Sequence, residues 1–179
     1  MHLIEKARIF AIAAHSAASH VRKYTGEPYW THPEHVAATV ATVSGVTDHM
    51  IAAAWLHDVV EDTGVDAELI VSEFGPDVAT LVAWLTDVST PADGNRAARK
   101  AMDRAHIARA PCTVHTIKLA DICSNVESIM LHDPVFAKTY MAEKRLMLDV
   151  MPHADAVLMA RARLVLTLGS IPPQIVERA

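Results

Sequence analysis

The heptapeptide HDVVEDT, residues 57–63, places one histidine and three carboxylates directly after the apolar stretch MIAAAWL. Burying an unpaired carboxylate is costly, so groups of this kind end up paired, protonated or bound to a metal. A second stretch, IKLADICSNVESI, carries Lys118, Asp121, Asn125 and Ser128 at spacings of three, four and three. On a helix such spacings make one polar stripe on an otherwise apolar surface. A third contribution is His32, in YWTHPEHVA, where a helix opens at Pro33. Brought together, His32, His57, Asp58 and Asp121 form a set of two imidazoles and two carboxylates. That mixed nitrogen and oxygen set suits Mn²⁺ or Fe²⁺ better than Zn²⁺ or Mg²⁺. A metal held there generates a nucleophile from water near neutral pH. Glu61 and Asp62, about one turn later, are placed to position or deprotonate that water. Taken alone, HD followed by ED also fits a solvated helix end, and Asp121 alone fits a surface or capping residue. The three segments are far apart in sequence, so convergence is an expectation for the fold to meet.

The elements that must position these groups are all helical by pattern. Helices are expected over 3–21, 33–43, 49–60, 67–74, 76–88, 94–109, 113–131, 135–150 and 152–168. Pro33, Pro76 and Pro152 stand where a first helical turn tolerates proline. Asp48 and Asp66 read as N-caps, and Gly45 and Gly75 as helix-ending residues. No stretch alternates with period two, so no sheet is expected. The fold class is therefore all-α, a compact bundle of about eight to ten helices in one domain over 1–179, with 170–179 as a loose tail. Hydrophobic residues make up 51% of the 179, enough for a substantial core. The formal net charge of −5 argues against a nucleic-acid surface, though a local basic pocket for a phosphorylated small molecule remains compatible with it. No apolar run is long enough to span a bilayer. The two cysteines suit a reducing cytoplasm.

RKYTGEPYWTHP (22–33), AAAWLHDVVEDT (52–63), FGPDV (74–78) and KLADICSN (118–125) occur in this order. Together they resemble the hydrolase domain of the Rel/SpoT stringent-response enzymes and their stand-alone small alarmone hydrolases, within the HD-domain metal phosphohydrolases. The resemblance covers about residues 3–150. It implies an Mn²⁺-dependent 3′-pyrophosphohydrolase that removes pyrophosphate from ppGpp or pppGpp, with pApp-type adenine nucleotides as a further possibility. By motif position it implies His32, His57, Asp58 and Asp121 as metal ligands and Glu61 with Asp62 as the water-activating pair. It also implies Arg22, Lys23, Asn125, Ser128 and Tyr140 as nucleotide contacts. Glu127 stands where the larger family members usually carry a basic residue, and helical geometry should turn it away from Asn125.

Two competing functions share parts of this reading. An HD-type nucleotide phosphomonoesterase, including one acting on the 2′-phosphate of NADPH, would keep the metal site and release orthophosphate. A non-catalytic nucleotide-binding module would have no need of Glu61 and Asp62. Arg99 and Lys100 read as a solvated helix face more readily than as phosphate contacts. Cys123 should face the core, since at about 100° per residue it falls opposite Asp121. Trp55 and Trp84 read as core. His35 fits a surface position or a partner of His32, and His15, His20, His106, His115 and His132 fit ordinary core or surface roles.

Overall fold

The computed structural model describes residues 1–168, so the expected tail at 170–179 lies outside the described residues. Nine α-helices follow one another among them: α1 (Leu3–Ala17), α2 (Thr31–Val40), α3 (Asp48–Leu56), α4 (Val59–Asp62), α5 (Ala67–Leu85), α6 (Arg96–Ile107), α7 (Cys112–His132), α8 (Pro134–Asp149) and α9 (Ala156–Leu168). A short 3₁₀ turn, Pro91–Asp93, precedes α6. The only extended pairing among the described residues is an isolated antiparallel bridge between Val21 and Pro28. No described helix is long and apolar enough to cross a membrane.

Two helices form the centre. α3 buries Met50, Ala52, Ala53, Ala54, Trp55 and Leu56, and it packs against α1, α2, α5 and α7. Its three consecutive alanines leave little side-chain bulk between axes, which lets neighbouring helices approach from several directions. α7 is buried continuously from Val114 to Cys123 and packs against α2, α8 and α9. Cys123 faces the core, as its angular position requires, and burial pushes its thiol up to about 11. Trp55 is core, whereas Trp84 is half-buried and stacks on His106 with ring centroids 4.6 Å apart.

Several boundaries differ from the sequence expectation for identifiable reasons. α1 stops at Ala17, four residues early, because Ser19 adopts a positive φ of 52° and the chain turns back. The segment after it is an irregular loop, tied by Arg22 N–H to the Glu27 carbonyl (2.8 Å) and Tyr29 N–H to the His20 carbonyl (3.0 Å). The cap of α3 is Thr47, whose hydroxyl accepts from Met50 N–H at 3.3 Å, and Asp48 lies inside the first turn. α9 starts at Ala156, not at Pro152. Asp155 accepts from Leu158 N–H at 2.8 Å and sets that start, leaving Pro152 in the connecting turn. The expected break near residue 75 is present: Gly75 has φ 79° and ψ 169°, a conformation open to glycine, and Pro76 restarts the helix.

The helix expected over 49–60 is broken at its functional end. Leu56 is the last residue of α3 and His57 its C-cap. Asp58 then sits at φ −102° and ψ −2°, the sparsely populated bridge region, before α4 begins at Val59. Continuous helical stacking of His57 on Glu61 therefore does not occur.

Candidate metal centre and nucleotide-facing rim

The break at Asp58 sends two adjacent side chains to one point. His57 Nε2 lies 3.1 Å from Asp58 Oδ2, and His57 Nδ1 is fixed at 2.8 Å from the Ala54 carbonyl of the preceding turn. From α2, His32 Nε2 lies 3.6 Å from Asp58 Oδ2 and 3.2 Å from Asp121 Oδ1. His57 Nε2 is 3.9 Å from the same Asp121 oxygen, which α7 supplies. The four side chains named from the sequence thus meet, delivered by three elements.

Both histidines are almost fully buried, and the Nε2 atom of each has no hydrogen-bond partner among the described residues. Each ring is oriented through its other nitrogen, His57 by Ala54 and His32 by the Ser124 hydroxyl at 3.0 Å. Two orphaned imidazole nitrogens facing two carboxylates, each ring braced from behind, is the arrangement a metal ligand set requires. Ligand atoms of His32, His57 and Asp58 all fall within 4.8 Å of one another. Asp121 lies outside that tight trio, yet its Oδ1 is within 3.9 Å of both imidazoles.

Electrostatics divides the carboxylates into two pairs. Burial alone would raise Asp58 and Asp121. The His57 imidazole beside Asp58, and the Lys118 ammonium 3.1 Å from Asp121, hold both well below the usual carboxylate range. Burial lowers His32, with Asp121 and Asp58 only partly offsetting it. For His57 the same burial is outweighed by Asp58 and Asp121, which lift it to about 9. Glu61 and Asp62 behave in the opposite way. Burial, followed by the neighbouring Asp87 charge, raises Glu61, which accepts from Asp87 N–H at 3.3 Å. Burial, followed by the Asp58 and Glu61 charges, pushes Asp62 up to about 6. A carboxylate poised near neutrality is suited to taking and returning a proton.

Arg22 reaches the cluster from the loop after α1. Both its terminal nitrogens donate to Asn125 Oδ1 at 3.3 Å, and Asn125 Nδ2 donates to Asp121 Oδ1 at 2.6 Å. Arg22 borders two cavities, one of about 570 Å³ towards His35 and Arg161 and one of about 220 Å³ towards Lys23 and Phe136; Ser128 lines both. Lys23 is exposed, with its ammonium 4.9 Å from the Tyr24 ring. Tyr140 is buried behind the rim, 6.0 Å from Phe136, and lines neither of these cavities. Glu127 pairs with Arg161 at 3.1 Å on the wall of the larger cavity, away from Asn125. Lys100 is half-buried, pairing with Asp87 at 2.6 Å and Asp103 at 3.1 Å.

Three participants escaped the sequence reading. Tyr29 donates to Asp58 Oδ2 at 2.7 Å, Ser124 braces His32, and His20 stacks on Tyr29 at 3.8 Å with its Nδ1 3.8 Å from Asp62 Oδ2. Tyr29 lies inside the RKYTGEPYW stretch, so its position was a usable signal. Ser124 likewise lies inside KLADICSN, whereas His20 carried no signal, because only the fold brings it to the site.

Residues 7–144 match the HD domain family. The chain belongs to that family. HD domains bind divalent metals, and the His32–His57–Asp58 cluster is the group of ligand atoms present here. Among similar proteins, a Drosophila melanogaster guanosine-3′,5′-bis(diphosphate) 3′-pyrophosphohydrolase is 34% identical over 108 residues, covering 60% of this HD domain chain and 59% of that protein. A probable enzyme of the same description from Synechocystis is 42% identical over 87 residues, or 49% of this chain and 11% of its own length. A probable GTP pyrophosphokinase from Mycobacterium leprae is 36% identical over 129 residues, or 71% of this chain and 16% of its own. The chain therefore spans 11%, 16% and 59% of these relatives' lengths. A solved structure of a metazoan orthologue of SpoT, described as hydrolysing ppGpp, matches with a TM-score of 0.83 at 25% identity, covering 94% of this chain and 96% of that one. A structure from Listeria monocytogenes matches with a TM-score of 0.66 at 26% identity, covering 83% and 100%. The match to the SpoT orthologue supports the all-helical HD architecture.

Proposed function

We propose that this HD domain is a divalent-metal 3′-pyrophosphohydrolase of purine-nucleotide alarmones, ppGpp and pppGpp foremost, working with Mn²⁺ in the cytoplasm. The observation that carries the reading is the pair of orphaned, buried Nε2 atoms on His32 and His57, facing Asp58 and Asp121. The matched relatives described as 3′-pyrophosphohydrolases and the SpoT orthologue support the choice of reaction. His32, His57, Asp58 and Asp121 would hold the ion. When bound, it supplies a Lewis acid that lowers the pKa of a water and neutralises phosphate charge.

The chain's own groups do the rest. Asp62, raised to about 6, accepts a proton from the attacking water at neutral pH, and Glu61 fixes that water's direction. Arg22 offers a planar guanidinium against the purine, beside the Asn125 amide and the Ser128 hydroxyl for the ribose. Lys23 reaches the nucleotide from the loop, and Tyr140 closes the site from behind. Water adds to the 3′-linked phosphorus, the bond to the ribose 3′ oxygen breaks, and that oxygen leaves with a proton. The products are pyrophosphate with GDP from ppGpp, or with GTP from pppGpp.

The test is a panel of ppGpp, pppGpp, pApp and NADPH incubated with the Mn²⁺-loaded protein, with products resolved by anion exchange. Release of pyrophosphate from the guanosine tetra- and pentaphosphates is expected. Release of orthophosphate from NADPH alone would replace this reading with the phosphomonoesterase one.

A further inference from the structure

Glu61 and Asp62 stand side by side at the edge of the site, yet among the described residues only Glu61 has a donor of its own, the Asp87 N–H at 3.3 Å. The Tyr29 hydroxyl bears on Asp62 as well, but a phenol carries one proton, and Tyr29 commits it to Asp58 at 2.7 Å. A further group beside Asp62 is His20, whose Nδ1 lies 3.8 Å from Asp62 Oδ2. That nitrogen is buried and has no hydrogen-bond partner among the described residues, although the side chain as a whole is partly exposed. Leaving a buried ring nitrogen unpaired is unfavourable, so its orientation towards a carboxylate calls for an explanation.

The ring is fixed by the backbone on both sides. Ser19 is the one described residue other than glycine with a positive φ, 52°, and it ends α1. The turn it makes lets His20 N–H donate to the His15 carbonyl at 3.0 Å, while Tyr29 N–H donates to the His20 carbonyl at 3.0 Å. The His20 and Tyr29 rings then stack 3.8 Å apart with planes 9° from parallel. Left-handed backbone at a residue with a Cβ is uncommon and gathers at functional sites. His20 also lines the cavity of about 220 Å³ that Arg22, Lys23, Asn125 and Phe136 border. One imidazole thus stands between the nucleotide-facing cavity and the proton-accepting carboxylate.

Bringing 3.8 Å down to a hydrogen bond takes a movement of about 1 Å. Hydrogen bonds around a general base are often long in the empty site and tighten once substrate is bound.

We propose that His20 is the positioning residue of Asp62: its Nδ1–H is directed at Asp62 Oδ2, closes on it when the nucleotide fills the adjoining cavity, and so turns the second carboxylate oxygen to the water. This rests on the phosphohydrolase reading and deepens it by naming what orients the base. His20 acts through Asp62 and exchanges no proton with the substrate.

Two measurements on the full chain test it. The first is nitrogen-15 NMR of the histidine rings in metal-free protein at pH 8, where Asp62 is ionised, with His20→Phe identifying the signal. A proton on His20 Nδ1 is expected in wild type, moving to Nε2 in Asp62→Ala. The second is ppGpp cleavage by the Mn²⁺-loaded protein. His20→Phe keeps the stack on Tyr29 and removes the nitrogen, whereas His20→Asn keeps a donor in the place of Nδ1. A reacting group misplaced by about 1 Å loses up to about 100-fold in rate. The expected result for His20→Phe is a kcat about 10- to 100-fold lower, with KM and the Kd for Mn²⁺ unchanged. His20→Asn should recover most of that loss, and His20→Phe should cost nothing further in an Asp62→Ala background. Wild-type kcat in His20→Phe, the same fold loss with Asp62 absent, a Kd for Mn²⁺ weakened in step with kcat, or a wild-type proton on Nε2 alone would each overturn the proposal. The two readings fail separately. A His20 proton on Nδ1 that depends on Asp62, in a protein that leaves ppGpp intact, removes the reaction and leaves the contact. Cleavage of ppGpp at wild-type kcat by His20→Phe does the reverse.

Discussion

The floor of the site and its outer edge both carry two carboxylates, yet they are held in opposite states. On the floor, Asp58 and Asp121 are buried, and His57 and Lys118 keep them ionised. At the edge, Glu61 and Asp62 have no cation so close, and burial with neighbouring negative charge raises both. Environment, not residue type, separates groups fitted to hold a cation from groups fitted to trade a proton. A sequence motif of the form HD…ED contains both kinds without marking which is which.

The largest expected break in this contrast comes from the floor. Asp58→Ala removes the carboxylate nearest His57 and one of the two that face His32, so stoichiometric Mn²⁺ binding and turnover should both be lost. Calorimetry with Mn²⁺ and the ppGpp assay read the two separately. Full activity in that variant without bound metal would remove the ligand role. At the edge, Asp62→Asn should lower kcat by about 10²–10⁴ while Mn²⁺ still binds, the range for loss of a general base. The wild-type kcat should fall as pH drops through about 6, where Asp62 takes up its proton, and Asp62→Asn should lack that limb.

Why the contrast was only partly legible follows from particular residues. The all-helical class, the break at Gly75 and the polar stripe on α7 were readable because each is a local pattern. The break at Asp58 was not, since an apolar run gives no sign that the second residue after it adopts the bridge region. In an unbroken helix Glu61 would stand one turn after His57 on the same face, whereas here Glu61 accepts from Asp87 N–H. Tyr29, Ser124 and His20 act through contacts that span 29 or more positions, or across loops, which no short window contains.

Smaller tests sharpen the comparison. Tyr29→Phe removes the hydroxyl donated to Asp58, and a lost supporting bond of this type weakens metal binding by about 10- to 100-fold. A Kd for Mn²⁺ equal to wild type would show that Asp58 is held without it. The smallest effect is on stability. Because the folded protein raises Asp62 to about 6, from 3.8, it binds more protons than the unfolded chain between those values and loses stability as pH rises through that window. Above pH 6 the ionised Asp62 is therefore a burden on the fold, and Asp62→Asn should raise Tm at pH 7 by roughly 1–4 °C, vanishing near pH 4. Scanning calorimetry of metal-free protein at both pH values checks the sign.

Asn125 is a single amide clasped at both ends, its nitrogen on Asp121 and its oxygen under Arg22. It cannot rotate for the benefit of one neighbour without releasing the other. Anything that tugs on the aspartate is transmitted to the arginine, and a guest stacked on the arginine steadies the aspartate in return. Occupancy of the inorganic and organic halves of the site is thereby linked, each guest tightening the grip on the other by the same factor.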